Sequence, residues 1–286
     1  MTCLMVYPSF VSPSIFRCPI CSLPLTEATT QAVCANQHQF DRAREGYLNL
    51  LPVQHKHSKE PGDAKVQLQA RRHFLQAGYF DGMLSHLFSR IHELLSDSDG
   101  GRLLDIGCGE GHFSLAMAKE FPACAIYGVD IAKSGVRMAA RAAQVAGQAI
   151  RYAVASSYAL PFEDASIDLV TRIYAPSKDE ELRRVLNANG CLIVVVPGVN
   201  HLIGLRRRVY ADIRDHKPPP TPSGFEYLGH SDYQAGLTVP AGSDTAALLA
   251  MTPFSWRMGS ILRQQLERDG LEDRLHFELY SYRVCS

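Results

Sequence analysis

Short apolar runs alternate with amphipathic segments through the second half of the chain. The apolar runs span residues 103–106, 124–129, 150–154, 167–173 and 191–196. Continuous apolar runs of this length are typical of strands that are buried on both faces of a parallel sheet. The segments at 112–121, 132–144 and 178–186 instead repeat apolar residues at helical spacing. This alternation predicts a doubly wound α/β fold.

Further elements are expected on both sides of this core. Two amphipathic helices are predicted ahead of it, and two antiparallel strands with two helices are predicted after it. The expected helices are 64–78, 83–95, 245–251 and 256–269, and the expected strands are 225–239 and 275–282. Asn189-Gly190 is expected to stop the helix at 178–186, because glycine favours the end of a helix.

Four side chains that bind metals occur near the start of the chain with the spacing C-x2-C-x12-C-x3-H. They are Cys18, Cys21, Cys34 and His38. A short C-x2-C turn presents two thiolates to one tetrahedral centre, and a returning hairpin supplies the second pair. Because four ligands leave no open position, a structural zinc site is predicted. His55 or His57 is an alternative fourth ligand, and a redox C-x-x-C is the rival interpretation.

Composition narrows the class of protein. The 286 residues include 29 basic and 29 acidic side chains, so any surface for nucleic acid is local. The eight cysteines are unevenly spaced and do not indicate a secreted disulfide framework. Residues 1–16 lack signal-peptide features, and no apolar stretch approaches the roughly 20 residues of a membrane span. We expect a cytoplasmic protein, without a membrane partner, that has one large domain and a small appendage.

Three glycines follow the first core strand at alternate positions, Gly107, Gly109 and Gly111. They predict a strand, a tight turn and a helix, in which backbone amides closely approach a ligand. Dinucleotide sites have the spacing G-x-G-x-x-G and bind a pyrophosphate at the helix N-terminus. Here the third glycine comes one residue early, and Asp105 and Glu110 would repel a phosphate. The turn therefore favours S-adenosylmethionine, which carries a ribose and positive charge.

More cofactor contacts are expected at the ends of the following strands. Asp130 ends the second core strand, where an acid accepts ribose hydroxyls; its alternative role is the N-cap of the next helix. Ser156 follows the third strand, at the position of adenine contacts. The segment 174–176 ends the fourth strand, beside the switch point where open α/β sheets bind ligands.

Two basic segments flank the core. Residues 41–72 carry seven Lys or Arg against four Asp or Glu, and a second cluster comprises Arg206-Arg207-Arg208, Arg214 and Lys217. Each segment has two interpretations, either a solvated linker or helix face, or a strip that holds phosphates. The segment 251–256 contains the only tryptophan and is expected to form a packed corner between a helix and a loop.

Together these features resemble the bacterial 23S rRNA (guanine-N1)-methyltransferases, in which a zinc module precedes a class I methyltransferase domain. Besides the four zinc-type ligands, the resemblance rests on the segments 45–56, 61–63, 69–72, 105–111, 172–176 and 251–257. It implies a Rossmann-like doubly wound domain preceded by a small zinc-binding module. The expected divisions are an N-terminal extension (1–15), the zinc-binding module (16–54), a linker with helices (55–98) and the methyltransferase domain (99–286).

The same resemblance implies site residues and partners. The zinc ligands carry over, as do cofactor contacts at Gly109, Glu110 and His201. The family has a tyrosine at the position of Phe80, and the neighbouring Tyr79 is expected to replace it. The resemblance also implies S-adenosylmethionine and structural zinc as cofactors, a 23S rRNA hairpin as substrate, and a homodimer that cradles the hairpin.

Methylation of guanine N1 requires an exposed Watson–Crick edge, so the target base must be unpaired or flipped out. Tyr174 is a candidate to stack on the base, and His201 is a candidate to hydrogen-bond the base or the methionine carboxylate. No dedicated general base is assigned. Two alternative functions remain open. One is a methyltransferase that acts on a metabolite such as a quinone, and the other is a zinc-bearing RNA-binding protein without activity.

Overall fold

The computed structural model describes residues 14–52, 62–95, 100–213 and 218–285. Its strands are β1 (Leu25–Glu27), β2 (Gln31–Cys34), β3 (Gln39–Asp41), β4 (Leu48–Asn49), β5 (Arg102–Ile106), β6 (Ala125–Asp130), β7 (Arg151–Val154), β8 (Ile167–Ile173), β9 (Leu186–Pro197), β10 (Phe225–Val239) and β11 (Leu271–Val284). Its helices are α1 (Lys65–Gln76), α2 (Asp81–Leu94), α3 (His112–Glu120), α4 (Lys133–Val145), α5 (Asp179–Val185), α6 (Ile203–Val209), α7 (Ser243–Met251) and α8 (Ser260–Asp269). A 3-10 helix covers Pro253–Trp256. None of the helices in the described ranges has the length and apolar composition needed to cross a bilayer.

Eight strands form the main sheet in the order β10-β11-β9-β8-β5-β6-β7-β4. Strands β4 to β9 run parallel, and β11 inserts antiparallel between β9 and β10. The chain winds outward in both directions from the adjacent pair β5 and β8, which creates a switch point there. This arrangement confirms the predicted class I methyltransferase fold, including its antiparallel last pair.

The central strands are buried on both faces because helices cover both sides of the sheet. Leu103 packs in the cluster that includes Phe80, whereas Leu104 packs on the opposite face in the cluster that includes Phe16 and Phe162. Successive side chains of a strand point to opposite faces, so a strand with two buried faces needs a continuous apolar run. The only acid in β5, Asp105, is also buried.

The N-terminal module is packed directly onto this sheet. Its own sheet consists of the antiparallel strands β1-β2-β3, which form the predicted hairpin and its return. The Phe16 ring stacks on Phe162 with centroids 5.1 Å apart, and β4 pairs with β7 at the edge of the main sheet. The module and the methyltransferase fold therefore share a core. The expected division at residue 54 lies outside the described residues.

Two predicted element boundaries are wrong. Asn189-Gly190 does not stop a helix, because α5 ends at Val185 and both residues lie in β9. There the pairing with β8 shifts register between Ile167 and Leu169, and the Asn187 amide donates to Asp168. The last helix begins at Ser260 rather than Trp256.

Its late start has a local cause. Pro253 opens a separate 3-10 turn, and Gly259 is the N-cap residue of α8, with extended backbone angles. The chain therefore breaks its helical path between the two elements.

Candidate functional site

A cavity of ≈ 1400 Å³ opens at the carboxyl ends of the parallel strands. Of the predicted cofactor contacts, the residues that line it are Phe80, Gly107, Glu110, Asp130, Ser156 and His201, and the base-stacking candidate Tyr174 lines it as well. Gly109 and Gly111 belong to the same turn, and Asp105 lies behind it. The sheet thus brings together residues that are far apart in the sequence, as expected at a switch point.

The glycine turn has the shape that its sequence predicts. Gly107 has a φ of +73°, and a Cβ added there would lie 2.4 Å from the Cβ of Ala175. Gly111 has a φ of +88°, and its added Cβ would lie 2.5 Å from the Cβ of Ala139. Both positions therefore require glycine for conformation and for space. The amides of Gly107 and Cys108 donate to the Val129 carbonyl, which ties the turn to β6.

Asp130 fixes the middle of this turn. Its Oδ2 accepts the Gly109 N–H at 2.9 Å, and its Oδ1 accepts the Ala132 N–H at 2.7 Å. The N-cap residue of α4 is Ala132, so Asp130 is not the N-cap. Each carboxylate oxygen has a second lone pair, which leaves acceptor capacity for a hydroxyl in the cavity. The ribose role is compatible with this geometry.

Two acids next to the turn have strongly perturbed pKa values. Burial raises the pKa of Glu110 to about 7, and Arg71 and Arg72 partly oppose that rise. Burial likewise raises the pKa of Asp105 to about 7, where its Oδ1 accepts a long 3.4 Å hydrogen bond from the Thr171 hydroxyl. Glu110 lines the cavity, whereas Asp105 is fully buried behind the cavity wall.

Tyr174 and His201 stand close together on the cavity wall. Their ring centroids are 6.4 Å apart, and the His201 ring packs edge-on against Phe277 at 4.7 Å. Tyr174 has a φ of +55°, in the left-handed region that non-glycine residues rarely occupy, and it is 49% exposed. Desolvation raises the pKa of Tyr174. Nδ1 of His201 accepts the backbone N–H of His276 at 3.3 Å.

The structure places Phe80 and Tyr79 differently. Phe80 is buried and lines the cavity. Tyr79 stacks on Phe74, and its hydroxyl donates to Asp244 at 2.7 Å. Burial and this carboxylate together raise the pKa of Tyr79 to about 12. The phenol is therefore engaged away from the cavity, and Phe80 is the aromatic residue of this pair that lines it.

One arginine from each of the two basic segments also reaches the cavity. Arg71 lines it and pairs with Asp63 at 2.5 Å, so the segment 41–72 is not only a solvated linker. Arg206 also lines it, although it is buried, and its guanidinium donates to the Val199 carbonyl at 2.9 Å. Arg207 and Arg208 are exposed on α6, whereas Arg214 and Lys217 lie outside the described residues.

The prediction of a packed corner at 251–256 is wrong for its tryptophan. Trp256 is 77% exposed and lines the cavity. Phe254 makes the expected packing contact instead, with its ring edge-on to Tyr210 at 5.8 Å. Sequence gives no way to decide which aromatic residue of a short 3-10 turn faces inward, because that choice depends on the elements packed beside it.

The four predicted metal ligands converge on one point. The Cys21 and Cys34 sulfurs lie 3.6 Å apart, and Nδ1 of His38 lies 3.5 Å from the Cys18 sulfur. All four donor atoms are within 4.8 Å of one another. Usual zinc bond lengths at tetrahedral angles separate ligand atoms by about 3.5–3.8 Å. The donor set therefore fits a closed zinc site, and the C-x2-C pair lies in a turn ahead of β1 rather than at a redox helix.

The zinc module contacts the wall of the cavity. The Arg17 N–H donates to the Pro161 carbonyl at 3.0 Å, in the segment that follows Ser156. A second cavity of ≈ 190 Å³ lies between the module and this segment. Ser156 and Tyr158 line both cavities, so the metal module adjoins the predicted adenine side of the cofactor site.

Two protein families match separate parts of the chain. Residues 16–59 match the zinc ribbon family described as "RlmA, N-terminal", and residues 103–190 match the family described as "Methyltransferase domain". The first match contains the metal cluster and β4, and the second contains the glycine turn and Asp130. The matches thus fall on the two parts of the fold that form the site.

Relatives that align over most of the chain decide the family. A 23S rRNA (guanine(748)-N(1))-methyltransferase from Streptomyces fradiae is 29% identical over 90% of this chain and 92% of its own length. A Bacillus subtilis (strain 168) protein, provisionally named a 23S rRNA (guanine-N(1)-)-methyltransferase, is 32% identical over 85% of this chain and 87% of its own length. The chain belongs to the 23S rRNA (guanine-N1)-methyltransferases.

Relatives outside the 23S rRNA (guanine-N1)-methyltransferases match less of the chain. Demethylmenaquinone methyltransferase from Thermus thermophilus is 34% identical over 42% of this chain and 59% of its own length. An alignment of that length is too short to include both the zinc ribbon and the whole methyltransferase sheet. The alignments that cover most of the chain are therefore those with the 23S rRNA (guanine-N1)-methyltransferases.

The cofactors of this methyltransferase are S-adenosylmethionine and zinc, and the donor groups fit both. Asp130 and Glu110 place two acidic groups at the glycine turn, and Asp63 in the same wall is paired with Arg71. Acidic groups suit a cationic cofactor without phosphates, whereas a dinucleotide would meet repulsion. The three cysteines and His38 supply the thiolates and imidazole that structural zinc prefers.

Proposed function

We propose that this protein transfers a methyl group from S-adenosylmethionine to N1 of a guanine in a hairpin of 23S rRNA. One observation carries the proposal: the zinc ribbon is built onto the edge of the methyltransferase sheet beside the cofactor cavity. Ser156 and Tyr158 line both that cavity and the smaller one beneath the ribbon. A substrate bound at the cavity therefore meets the ribbon as well, and a folded RNA is large enough to contact both.

The cavity has room for more than a cofactor. Its volume of ≈ 1400 Å³ exceeds the about 300–1,000 Å³ of most small-molecule sites. Guanine N1 lies on the Watson–Crick edge, so the target base is unpaired or flipped out before it reacts. The remaining volume accepts that base.

Asp130 and Glu110 hold the cofactor at the glycine turn, and Ser156 contacts its adenine side. When bound, S-adenosylmethionine supplies a methyl group that the sulfonium has already activated. The contribution of the protein is therefore mainly the position of the guanine relative to that methyl group. Phe80, which is buried beside the turn, forms an apolar part of the same wall.

Tyr174 and His201 act as hydrogen-bond donors rather than bases. Because Nδ1 of His201 accepts a backbone N–H, the neutral ring carries its proton on Nε2. An ordinary phenol has a pKa of about 10 and stays protonated at neutral pH, and the half-exposed Tyr174 ring offers a face for stacking. Donors beside the guanine stabilise the negative charge that develops on O6 while the N1 proton leaves to solvent.

The RNA is held by arginines on the side of the cavity where α6 meets the 3-10 turn. Arg207 and Arg208 on α6 are exposed cations, and Arg257 lies on the cavity wall. Cations in such positions hold phosphates and set the register of a nucleic acid without reading its sequence. We further propose that two copies cradle one hairpin between their zinc modules, and that the enzyme works in the cytoplasm, where the rRNA is located.

The competing substrate classes are separated by one assay. Purified protein is incubated with tritiated S-adenosylmethionine and two possible substrates. One is rRNA from a strain that lacks the gene, and the other is a metabolite extract of the same strain. We expect label in 23S rRNA and none in the metabolite fraction. Label in metabolites alone would indicate a small-molecule methyltransferase. Label in neither fraction, with intact cofactor binding, would support an RNA-binding protein without activity.

A further inference from the structure

Trp256 is the only tryptophan in the chain, and 77% of its surface is exposed. An indole has the largest side-chain surface of any residue, so leaving it exposed to water gives up a large hydrophobic stabilisation. The side chain nevertheless lines the cavity that contains the glycine turn and Tyr174. An exposed aromatic residue at a substrate cavity indicates a contact that the free protein does not satisfy.

The backbone around Trp256 is held in place. The N–H groups of Arg257 and Met258 both donate to the Phe254 carbonyl at 3.0 Å. The Phe254 ring packs edge-on against Tyr210 at 5.8 Å, which anchors the 3-10 turn to the segment after α6. The backbone that carries Trp256 is thus already ordered, so ligand binding would need to fix only the side-chain torsions of the indole.

Positive charge accompanies the indole. Arg257 lines the same cavity, and its guanidinium lies 5.5 Å from the centroid of the Tyr210 ring. The exposed Arg207 and Arg208 are on α6, which ends just before Tyr210. Exposed aromatic rings beside Arg or Lys are the combination that binds unpaired nucleotides, because bases stack on the rings while the cations attract phosphates.

We infer that Trp256 is an RNA-contact residue that stacks on an unpaired base of the hairpin at this cavity wall. This inference rests on the proposed function and adds a named contact to it. Every base has a π-face, so the stack contributes affinity and position rather than the choice of guanine. Selection of guanine is left to groups that reach its edge.

The single tryptophan makes this contact directly observable. Unmodified 23S rRNA transcript is titrated into the protein in the presence of S-adenosylhomocysteine, and the tryptophan emission is followed, with N-acetyltryptophanamide as the correction for light absorbed by RNA. We expect saturable quenching with the same midpoint as binding measured by filter retention. Unchanged emission at saturating RNA would overturn the inference.

Variants test the energy of the contact. We expect Trp256→Ala to raise the KM for rRNA by between about fivefold and about 150-fold, the range that corresponds to base–aromatic stacking. Trp256→Phe should recover part of this loss, because it keeps a ring, and kcat should change less than KM. Ile261→Ala is the matched control, since Ile261 is 82% exposed on nearby α8 and does not line the cavity.

Calorimetry of S-adenosylhomocysteine binding separates the contact from a folding defect. We expect equal affinity for the wild type, Trp256→Ala and Trp256→Phe. If the wild-type enzyme methylates rRNA and Trp256→Ala has an unchanged KM for rRNA, the inference is wrong and the proposed function is unaffected. A wild-type protein that labels no RNA would overturn both.

Discussion

Glu110 is buried in the cavity wall. Ionisation of its carboxyl is expected to lower the stability of the fold and to favour binding of the cationic cofactor. Its pKa is raised from 4.5 to about 7. Between these values the folded chain binds more protons than the unfolded chain, so the free energy of unfolding falls as pH rises from about 4.5 to about 7. Above about pH 7 the loss is complete and amounts to about 3 kcal/mol. We expect the ionised form to be the one that attracts the cationic cofactor.

Glu110→Gln should therefore stabilise the apo protein at high pH and weaken cofactor binding. Relative to the wild type, we expect the gain in unfolding free energy to be small near about pH 5 and to approach about 3 kcal/mol near about pH 8. Denaturant titrations at both pH values measure it, and calorimetry measures the loss of affinity for S-adenosylmethionine. A gain that is equal at both pH values would contradict the burial of this carboxylate.

Gly107 allows a second prediction, because the chain contains a matched control. Alanine at Gly107 would combine a positive φ with a contact of 2.4 Å to the Ala175 Cβ, whereas Gly147 has a φ of +66° and nothing within 4 Å. Both alanine variants should lose about 1–2 kcal/mol of stability from the left-handed backbone. Only Gly107→Ala should also bind S-adenosylmethionine at least about tenfold more weakly, since it distorts the turn. Equal affinities in calorimetry would refute this role.

At the scale of single residues, sequence predicted the polar site better than the aromatic one. Asp130 and Glu110 could be assigned because their positions relative to the glycines fix where they lie. Sequence favoured Tyr79 over Phe80, whereas Phe80 lines the cavity, since adjacent residues ahead of α2 differ only in which neighbours they meet. Trp256 was misassigned for the same reason.

The segment between β7 and β8 links the zinc ribbon to the cofactor site. Ser156 lines the cofactor cavity, and four positions later the Leu160 N–H donates to Glu181 at 2.6 Å. The next residue, Pro161, accepts the Arg17 N–H from the ribbon, and Phe162 stacks on Phe16. Loss of the ribbon fold therefore removes support from one wall of the cofactor site.

We expect Cys21→Ser to lower the zinc content and to weaken S-adenosylmethionine binding several-fold, with a lower melting temperature. Cys285→Ser is the control, because Cys285 is exposed near the C-terminus and away from the cluster. Metal analysis, calorimetry and thermal melts of the two variants make the comparison. Full zinc occupancy and unchanged cofactor affinity in Cys21→Ser would contradict the proposed dependence of the cofactor site on the zinc ribbon.

Elements with a clear hydrophobic pattern could be predicted from sequence. Elements that form only because a neighbouring strand pairs with them could not. The central strands follow directly from their apolar runs, because both of their faces are buried. Strand β4 has two residues, Leu48 and Asn49, which is too short to show any period. It exists because β7 offers an edge with unpaired backbone groups. The irregular start of β9 likewise depends on its pairing with β8.

At the scale of the whole molecule, the cofactor and the substrate are specified by different parts of the chain. We expect the glycine turn and its acids to determine the cofactor, because they lie at the switch point of the sheet. The zinc ribbon, the cationic segments and Trp256 lie around the cavity and suit a large polyanion. Balanced charge over the whole chain conceals this local surface, so composition alone indicated no nucleic acid.

The identity of the methylated atom tests the central claim most directly. 23S rRNA from a strain that lacks the gene is incubated with the enzyme and S-adenosylmethionine, digested to nucleosides, and analysed by chromatography with mass detection. Asp130→Asn serves as the control, because an amide replaces the carboxylate that accepts the Gly109 and Ala132 N–H groups. We predict new 1-methylguanosine with the wild-type enzyme and a large loss with Asp130→Asn. A methylated nucleoside other than 1-methylguanosine, or none at all, would contradict the account.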